Sequence, residues 1–126
     1  MDPKLNTVDQ AGAERRRHPR FQMLARVNIT TADDGETYWG NVCDVSRTGV
    51  AIYIRQRLGV NQNVPVRFHF FSADGQEVTE ELPAKTVWQS TDAAGLQFDQ
   101  FLVAGSPALE KAPCLAAYLA KKESEG

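Results

Sequence analysis

Four arginines fall within six positions near the start of the chain, in the segment RRRHPRF at residues 15–21. An arginine guanidinium makes paired hydrogen bonds to phosphate or to the O6/N7 edge of guanine, and its flat face stacks on bases. Pro19 disfavours helix at His18, so the segment is predicted to be an extended loop or turn. Taken alone, such a segment is more typical of a solvated basic run ahead of a domain.

A second segment with binding potential is DVSRTG, at residues 44–49. Asp44 and Ser46 lie two residues apart at the end of a predicted strand, so we expect their side chains on the same face. The Asp44 carboxylate can accept hydrogen bonds from guanine N1–H and N2–H or hold an arginine, and the Ser46 hydroxyl can bond a phosphate or nearby backbone. Gly49 would allow a positive φ or the close approach of a ligand. The alternative is a structural Asp/Ser turn between two strands.

The elements that must position these segments are predicted to be strands. Apolar and polar residues alternate in short stretches between turn signals such as Asp34-Gly35, at residues 21–29, 37–46, 50–54, 64–71, 82–88 and 96–98. In the fifth stretch, one face is expected to carry Leu82, Ala84, Thr86 and Trp88. Six short strands without intervening helices predict an antiparallel barrel or sandwich.

The end of the chain has a helical pattern instead. Ser106 is a candidate N-cap, Pro107 suits a first helical position, and Pro113 is expected to break or restart the helix. Leu115, Tyr118 and Leu119 then form one apolar stripe. We expect this helix to cap the barrel; the alternative is a helix that binds a partner or dimerises.

Composition narrows the function classes. The length of 126 residues predicts one domain. The net charge of -2 excludes the overall positive charge that a protein coating nucleic acid would carry. No stretch is apolar enough to span a membrane and no secretory leader is evident, so we predict a cytoplasmic protein without membrane contact. Cys43 and Cys114 are expected to be free thiols.

Catalytic and metal chemistry find no support in the sequence. His18 and His69 do not cluster with acids or cysteines, which argues against a metal site. Ser46 has no histidine base nearby, so we predict that the protein is not an enzyme. The carboxylates of Glu77, Glu80 and Glu81 are interpreted as a solvated strand face.

Together, the two segments resemble the signature motifs of PilZ domains. RRHPR, from Arg16 to Arg20, matches their RxxxR motif, and DVSRTG matches their D/N-x-S-x-x-G motif. A strand and a hairpin separate the motifs, as in that family, and GLQF at residues 95–98 is similar to its closing strand. The resemblance covers about residues 15–100.

The resemblance implies an all-β fold, a six-stranded antiparallel β-barrel, and the pattern at the end of the chain adds a C-terminal α-helix. We therefore divide the chain into a flexible arm at residues 1–14, the barrel at residues 15–104, and a helix with its tail at residues 105–126. The implied ligand is cyclic di-GMP, a bacterial second messenger. By the same resemblance, Arg16 and Arg20 would bind the guanine and the phosphates of this ligand. Asp44, Ser46 and Gly49 would bind it from the barrel surface.

Three further residues are candidates for the same ligand. In PilZ domains the residue before RxxxR influences ligand stoichiometry, so Arg15 favours an intercalated ligand dimer. Arg47 would contribute a cation, and Trp88 would contribute a stacking surface unless it is a core or rim aromatic.

The implied function is that of a cyclic di-GMP receptor that signals through an unidentified effector protein and needs no cofactor. One alternative is an adaptor with a PilZ-like barrel that binds protein partners independently of nucleotide. Another is an OB-like barrel that binds single-stranded nucleic acid, which the acidic balance and the single arginine cluster disfavour, so we expect no DNA or RNA partner.

Overall fold

Six antiparallel strands form a closed barrel in the part of the chain that the structure, a computed structural model, describes: residues 18–31 and 35–125. The strands are β1 (Arg26–Thr30), β2 (Thr37–Val45), β3 (Gly49–Tyr53), β4 (Asn63–Phe71), β5 (Glu77–Gln89) and β6 (Ala93–Phe98). Their order around the barrel is β1-β2-β3-β6-β5-β4, and β4 pairs with β1 to close it. The predicted barrel is confirmed, and the sandwich alternative is wrong.

The first strand is shorter than the sequence pattern predicted. Phe21 forms an isolated bridge with Val45, and regular pairing resumes only at Arg26, opposite Asn41. The chain advances five residues from Phe21 to Arg26, while β2 advances only four from Val45 to Asn41. The extra residue is accommodated between residues 22 and 25, where Leu24 is fully exposed.

Alternate side chains from all six strands fill the barrel, as burial of apolar surface requires. The largest side chains that are completely buried on these strands include Val27, Ile29, Val45, Ile52, Val64, Phe68, Leu82 and Phe98. The rings of Phe68 and Phe98 meet edge to face, with centroids 6.1 Å apart.

Two helices follow the barrel, α1 (Ala108–Lys111) and α2 (Pro113–Glu125). The first helix begins one residue later than expected, because its N-cap is Pro107 and not Ser106. The Ser106 hydroxyl still accepts a hydrogen bond from the Ala108 backbone N–H at 3.2 Å. Pro113 restarts the helix, as the sequence suggested. Helix α2 buries Leu115, Ala116 and Leu119 as part of the same apolar cluster as the barrel interior, so it caps the barrel. Neither helix in the described ranges is long and apolar enough to cross a membrane.

Glu80 anchors the start of α2. Its two carboxylate oxygens accept hydrogen bonds from the backbone N–H groups of Cys114 and Leu115, each at 2.8 Å. These N–H groups have no partner within the helix, and a negative charge is favourable at a helix N-terminus. The expectation that Glu80 is solvated is therefore wrong: it shares the inward face of β5 with Leu82, while Glu77 and Glu81 are exposed.

The two cysteines are free thiols, as expected. The adjacent Glu80 carboxylate raises the pKa of the Cys114 thiol. This shift favours the protonated thiol, which disfavours thiolate reactivity at that position.

We expect Glu80→Ala to reduce the free energy of unfolding by about 1–3 kcal/mol, because two helix N–H groups would lose a charged acceptor. Urea denaturation followed by circular dichroism measures this loss. Glu77→Ala, an exposed change on the same strand, is the matched control and should stay within about 0.5 kcal/mol of the unmodified protein. Equal stability of the two variants would contradict the role given to Glu80.

Candidate functional site

A β-bulge in β2 places Asp44 on the outer surface of the barrel. The pairing of β2 with β3 runs from Val42↔Ile52 directly to Asp44↔Ala51, so Cys43 is an extra residue. Cys43 and Asp44 are consecutive and both partly exposed, whereas Val42 and Val45 on either side are buried. Without the extra residue, strict alternation from Val42 would turn Asp44 inward.

A second bulge, in β5, places Trp88 on the outer surface of the barrel. The pairing with β6 runs from Thr86↔Leu96 to Trp88↔Gly95 and leaves Val87 as the extra residue. Thr86 is completely buried, but the Trp88 side chain is 45% exposed. The prediction that Trp88 shares the face of Leu82, Ala84 and Thr86 is therefore wrong, because the bulge reverses the alternation after Thr86.

Asp44 and Trp88, the residues that follow the two bulges, belong to one row of paired residues that crosses four strands. Asp44 pairs with Ala51, Ala51 with Gly95, and Gly95 with Trp88. A surface cavity of about 520 Å³ lies over this row, and its lining comprises Arg20, Asp44, Thr48, Gly49, Val50, Ala51, Val87, Trp88, Gly95, Leu96, Gln97 and Phe101. Small residues in the middle of the row leave this volume open between Asp44 and Trp88.

Glycine is required at two places beside the cavity. A Cβ on Gly95 would lie 2.0 Å from Trp88 Nε1, so the indole lies against the backbone of β6. A Cβ on Gly49 would lie 2.2 Å from the Leu96 carbonyl oxygen. Gly49 does not have a positive φ, so the first of the two expected reasons for a glycine at this position is wrong. The close packing of β3 against β6 requires the glycine instead.

The arginine segment meets the second motif at this cavity. Arg20 Nε donates to Asp44 Oδ1 at 2.6 Å, and both side chains remain partly exposed. Two backbone hydrogen bonds between Phe21 and Val45, of 2.8 and 2.9 Å, hold Arg20 next to Asp44. The His18 ring packs edge-on against Phe101, with centroids 6.5 Å apart. Arg15 and Arg16, like the predicted arm at residues 1–14, lie outside the described residues.

Ser46 does not join Asp44 on the exposed face. Its side chain is buried, and its hydroxyl is 3.0 Å from Thr48 Oγ1 and accepts a hydrogen bond from the Thr48 backbone N–H at 3.1 Å. The Ser46 N–H also donates to the Gly49 carbonyl at 2.9 Å. The expectation of a shared face is wrong, because the chain turns between the two strands here and Ser46 shapes that turn.

Arg47 points away from the cavity and toward the C-terminal helix. Its Nε and one Nη donate to the two carboxylate oxygens of Glu123 in α2, each at 2.9 Å. The other Nη donates to the Leu102 carbonyl. The hydrogen bonds from Arg47 lower the pKa of Glu123, and those to Glu123 raise the pKa of Arg47. The cation that the sequence suggested for the ligand is thus part of a bidentate ion pair that attaches α2 to the barrel.

The cavity also contains residues that sequence reasoning missed, namely Thr48, Gln97 and Phe101. Alternation between Leu96 and Phe98 could have identified Gln97 as an outward residue, but no local signal identifies Phe101. Among the described residues, no group of three His, Cys, Asp or Glu side chains is placed to hold a metal ion.

Comparison with known protein families gives a match over most of the chain. The sequence model of the PilZ domain family matches residues 14–106, which is most of the chain. None of the curated proteins matches the sequence.

Solved structures with a similar fold include three proteins of low sequence identity. The Bacillus subtilis inhibitor of motility MotI (DgrA) has a TM-score of 0.64 at 13% identity over 88% of this chain, which spans only 52% of that protein. The PilZ domain of YcgR from Escherichia coli with cyclic di-GMP has a TM-score of 0.61 at 16% identity, covering 88% of this chain and 95% of that one. The PilZ domain of CeSA from a cellulose-synthesizing bacterium has a TM-score of 0.57 at 18% identity, with 83% and 98% covered.

We expect Gly95→Ala to displace the Trp88 indole, because the added Cβ would lie 2.0 Å from its Nε1 atom. In a Trp39→Phe background, which leaves Trp88 as the fluorescent tryptophan, the emission maximum should move to longer wavelength as the indole enters solvent. Asp92→Ala, in the turn before β6, is the control and should leave the spectrum unchanged. Identical spectra for the Gly95 variant and its parent would show that the indole does not rest on β6.

We expect Glu123→Gln to destabilise the protein by about 1–2 kcal/mol at pH 7, because Arg47 loses its ionised partner. The pKa of Glu123 is lowered in the folded state. The stabilisation is therefore complete above the ordinary glutamate pKa of about 4.3 and is lost as the pH falls through the lowered value.

Urea denaturation at several pH values should show the gap between the unmodified protein and Glu123→Gln closing as the pH falls below about 4. Glu125→Gln, which alters an exposed ion pair with Lys122 on the same helix, is the matched control. A gap that stays constant down to pH 3 would mean that the ion pair does not cause it.

Proposed function

The chain belongs to the PilZ domain family, and on that basis we propose that it is a receptor for cyclic di-GMP, bound on the outer face of β2, β3, β6 and β5. The observation that carries this proposal is the meeting of both motifs at one cavity. Arg20 of RxxxR and Asp44 of D-x-S-x-x-G form an ion pair on its wall. The cavity volume of about 520 Å³ also suits a small ligand.

The side chains around the cavity match the chemistry of a guanine dinucleotide. Arg20 presents a planar fork for a phosphate or for the O6/N7 edge of guanine. Asp44 accepts hydrogen bonds from guanine N1–H and N2–H, and the exposed Trp88 indole offers a stacking surface. Arg20 and Asp44 would have to release each other to bind, and this costs little because exposed ion pairs are worth only about 0–1 kcal/mol.

The remaining motif residues complete the proposal. Arg16 lies four residues before Arg20, within about 14 Å of extended chain, so it can reach the same ligand. Arg15 would stack on a second guanine and offset its phosphate charge, which favours an intercalated ligand dimer. Ser46 and Gly49 would act through the backbone, by shaping the turn and by allowing β3 to approach β6 closely.

Ligand binding, rather than catalysis, would be the activity, and the signal would pass to an effector protein. A surface depression lined by exposed apolar side chains favours such a partner, since Leu24, Phe71 and Trp39 line it together and are 100%, 71% and 47% exposed. The same observation favours the second candidate function, a nucleotide-independent adaptor. A partner whose affinity for this chain is unaffected by cyclic di-GMP would support the adaptor.

Isothermal titration of the full chain with cyclic di-GMP should show saturable binding. Arg16→Ala, Arg20→Ala and Asp44→Ala should each weaken it by about tenfold or more, because each removes charged hydrogen bonds worth about 1.5–3 kcal/mol. Arg67→Ala is the matched control, since Arg67 is an exposed arginine on β4 that pairs with Glu81. Absence of saturation with the unmodified protein would reject the receptor, and control-like affinity in an arginine variant would remove that arginine from the site.

A further inference from the structure

A second row of paired residues, three of them polar and exposed, lies beside the proposed ligand cavity on the same outer face of the barrel. Gly49 pairs with Gln97, Gln97 with Lys85, and Lys85 with Asn63, so the row crosses β3, β6, β5 and β4. It runs parallel to the row from Asp44 to Trp88 and is offset from it by about two residues, or about 7 Å along the strands.

Gln97 connects this row to the main cavity. It lines the cavity that holds Arg20 and Asp44, and it also lines a second cavity of about 340 Å³ with Asn63, Lys85, Phe98 and Asp99. The two cavities therefore adjoin at Gln97, and Lys85 lies next to Gln97 across the β5–β6 pairing.

Lys85 carries a charge that no carboxylate among the described residues neutralises. Within residues 18–31 and 35–125 it forms no ion pair, whereas Arg20, Arg47 and Arg67 each pair with a carboxylate. Asp99 lines the same cavity but is not within ion-pair distance of Lys85. An exposed ammonium group flanked by two side-chain amides suits a phosphate that also needs neutral hydrogen-bond donors.

We propose that Lys85, together with the amides of Gln97 and Asn63, forms a second anion subsite that binds a phosphate of a guanine dinucleotide. This inference rests on the proposed function, because the ligand is the one held first by Arg20 and Asp44. The phosphate belongs either to that same molecule or to a second molecule stacked on it. The Asp99 carboxylate opposes the binding of an anion at this subsite. Removal of the Asp99 charge should therefore raise the affinity for the ligand, whereas removal of the Lys85 charge should lower it.

Titration of the full chain with cyclic di-GMP tests the subsite through both affinity and stoichiometry. Lys85→Gln should weaken binding about fivefold or lower the number of molecules bound, because an exposed charge pair contributes up to about one kilocalorie per mole. Lys85→Arg should preserve binding, and Asp99→Asn should strengthen it. Lys111→Gln, which removes an exposed lysine of α1, is the matched control, and equal thermal midpoints would show that all variants are folded.

Each outcome has a definite meaning. Weaker binding at unchanged stoichiometry places Lys85 on the first ligand's phosphate, and reduced stoichiometry places it on a second molecule; both support the subsite. If Lys85→Gln binds like Lys111→Gln while the unmodified protein saturates, the subsite is wrong and the receptor function stands. If the unmodified protein does not bind, the receptor function is rejected and the subsite with it.

Discussion

Successive side chains of a β-strand point to opposite faces of the sheet, and one inserted residue reverses that order for the residues beyond it. The candidate site depends on two such insertions, Cys43 in β2 and Val87 in β5. Because of each bulge, the next residue, Asp44 or Trp88, faces the outer surface instead of the packed interior. Because β3 and β6 lie between these strands, Asp44 and Trp88 face one shared cavity.

The turn between β2 and β3 connects that cavity to the rest of the molecule. Asp44 faces the cavity, Ser46 is buried in the turn, and Arg47 reaches Glu123 in α2. Glu80 holds the opposite end of the same helix through its first backbone N–H groups. The helix is thus attached to the barrel by one charged side chain near each end, in addition to its buried apolar residues.

Much of this arrangement follows from local patterns. Alternation of apolar residues predicted the barrel strands, and the restart of the helix at Pro113 followed from the chemistry of proline. The resemblance of the two motifs to those of PilZ domains implied that Arg20 and Asp44 belong to one site, and the structure places them in an ion pair. The errors concern the direction of single side chains, namely Ser46, Glu80 and Trp88, and each of them depends on a turn, a contact distant in sequence or a bulge.

By itself, the sequence determined the number and approximate position of the strands, because burial of alternate residues requires a period of two. It also determined which residue types can contact phosphate and guanine, since those properties belong to the side chains themselves. Only the tertiary structure decided which face Trp88 and Asp44 occupy, that Glu80 is buried at a helix terminus, and that Arg47 pairs with Glu123. The physical reason is that each bulge depends on the register with a neighbouring strand. The Glu80 contact and the Arg47–Glu123 ion pair join residues 35 and 76 positions apart, and no local pattern specifies either kind of partner.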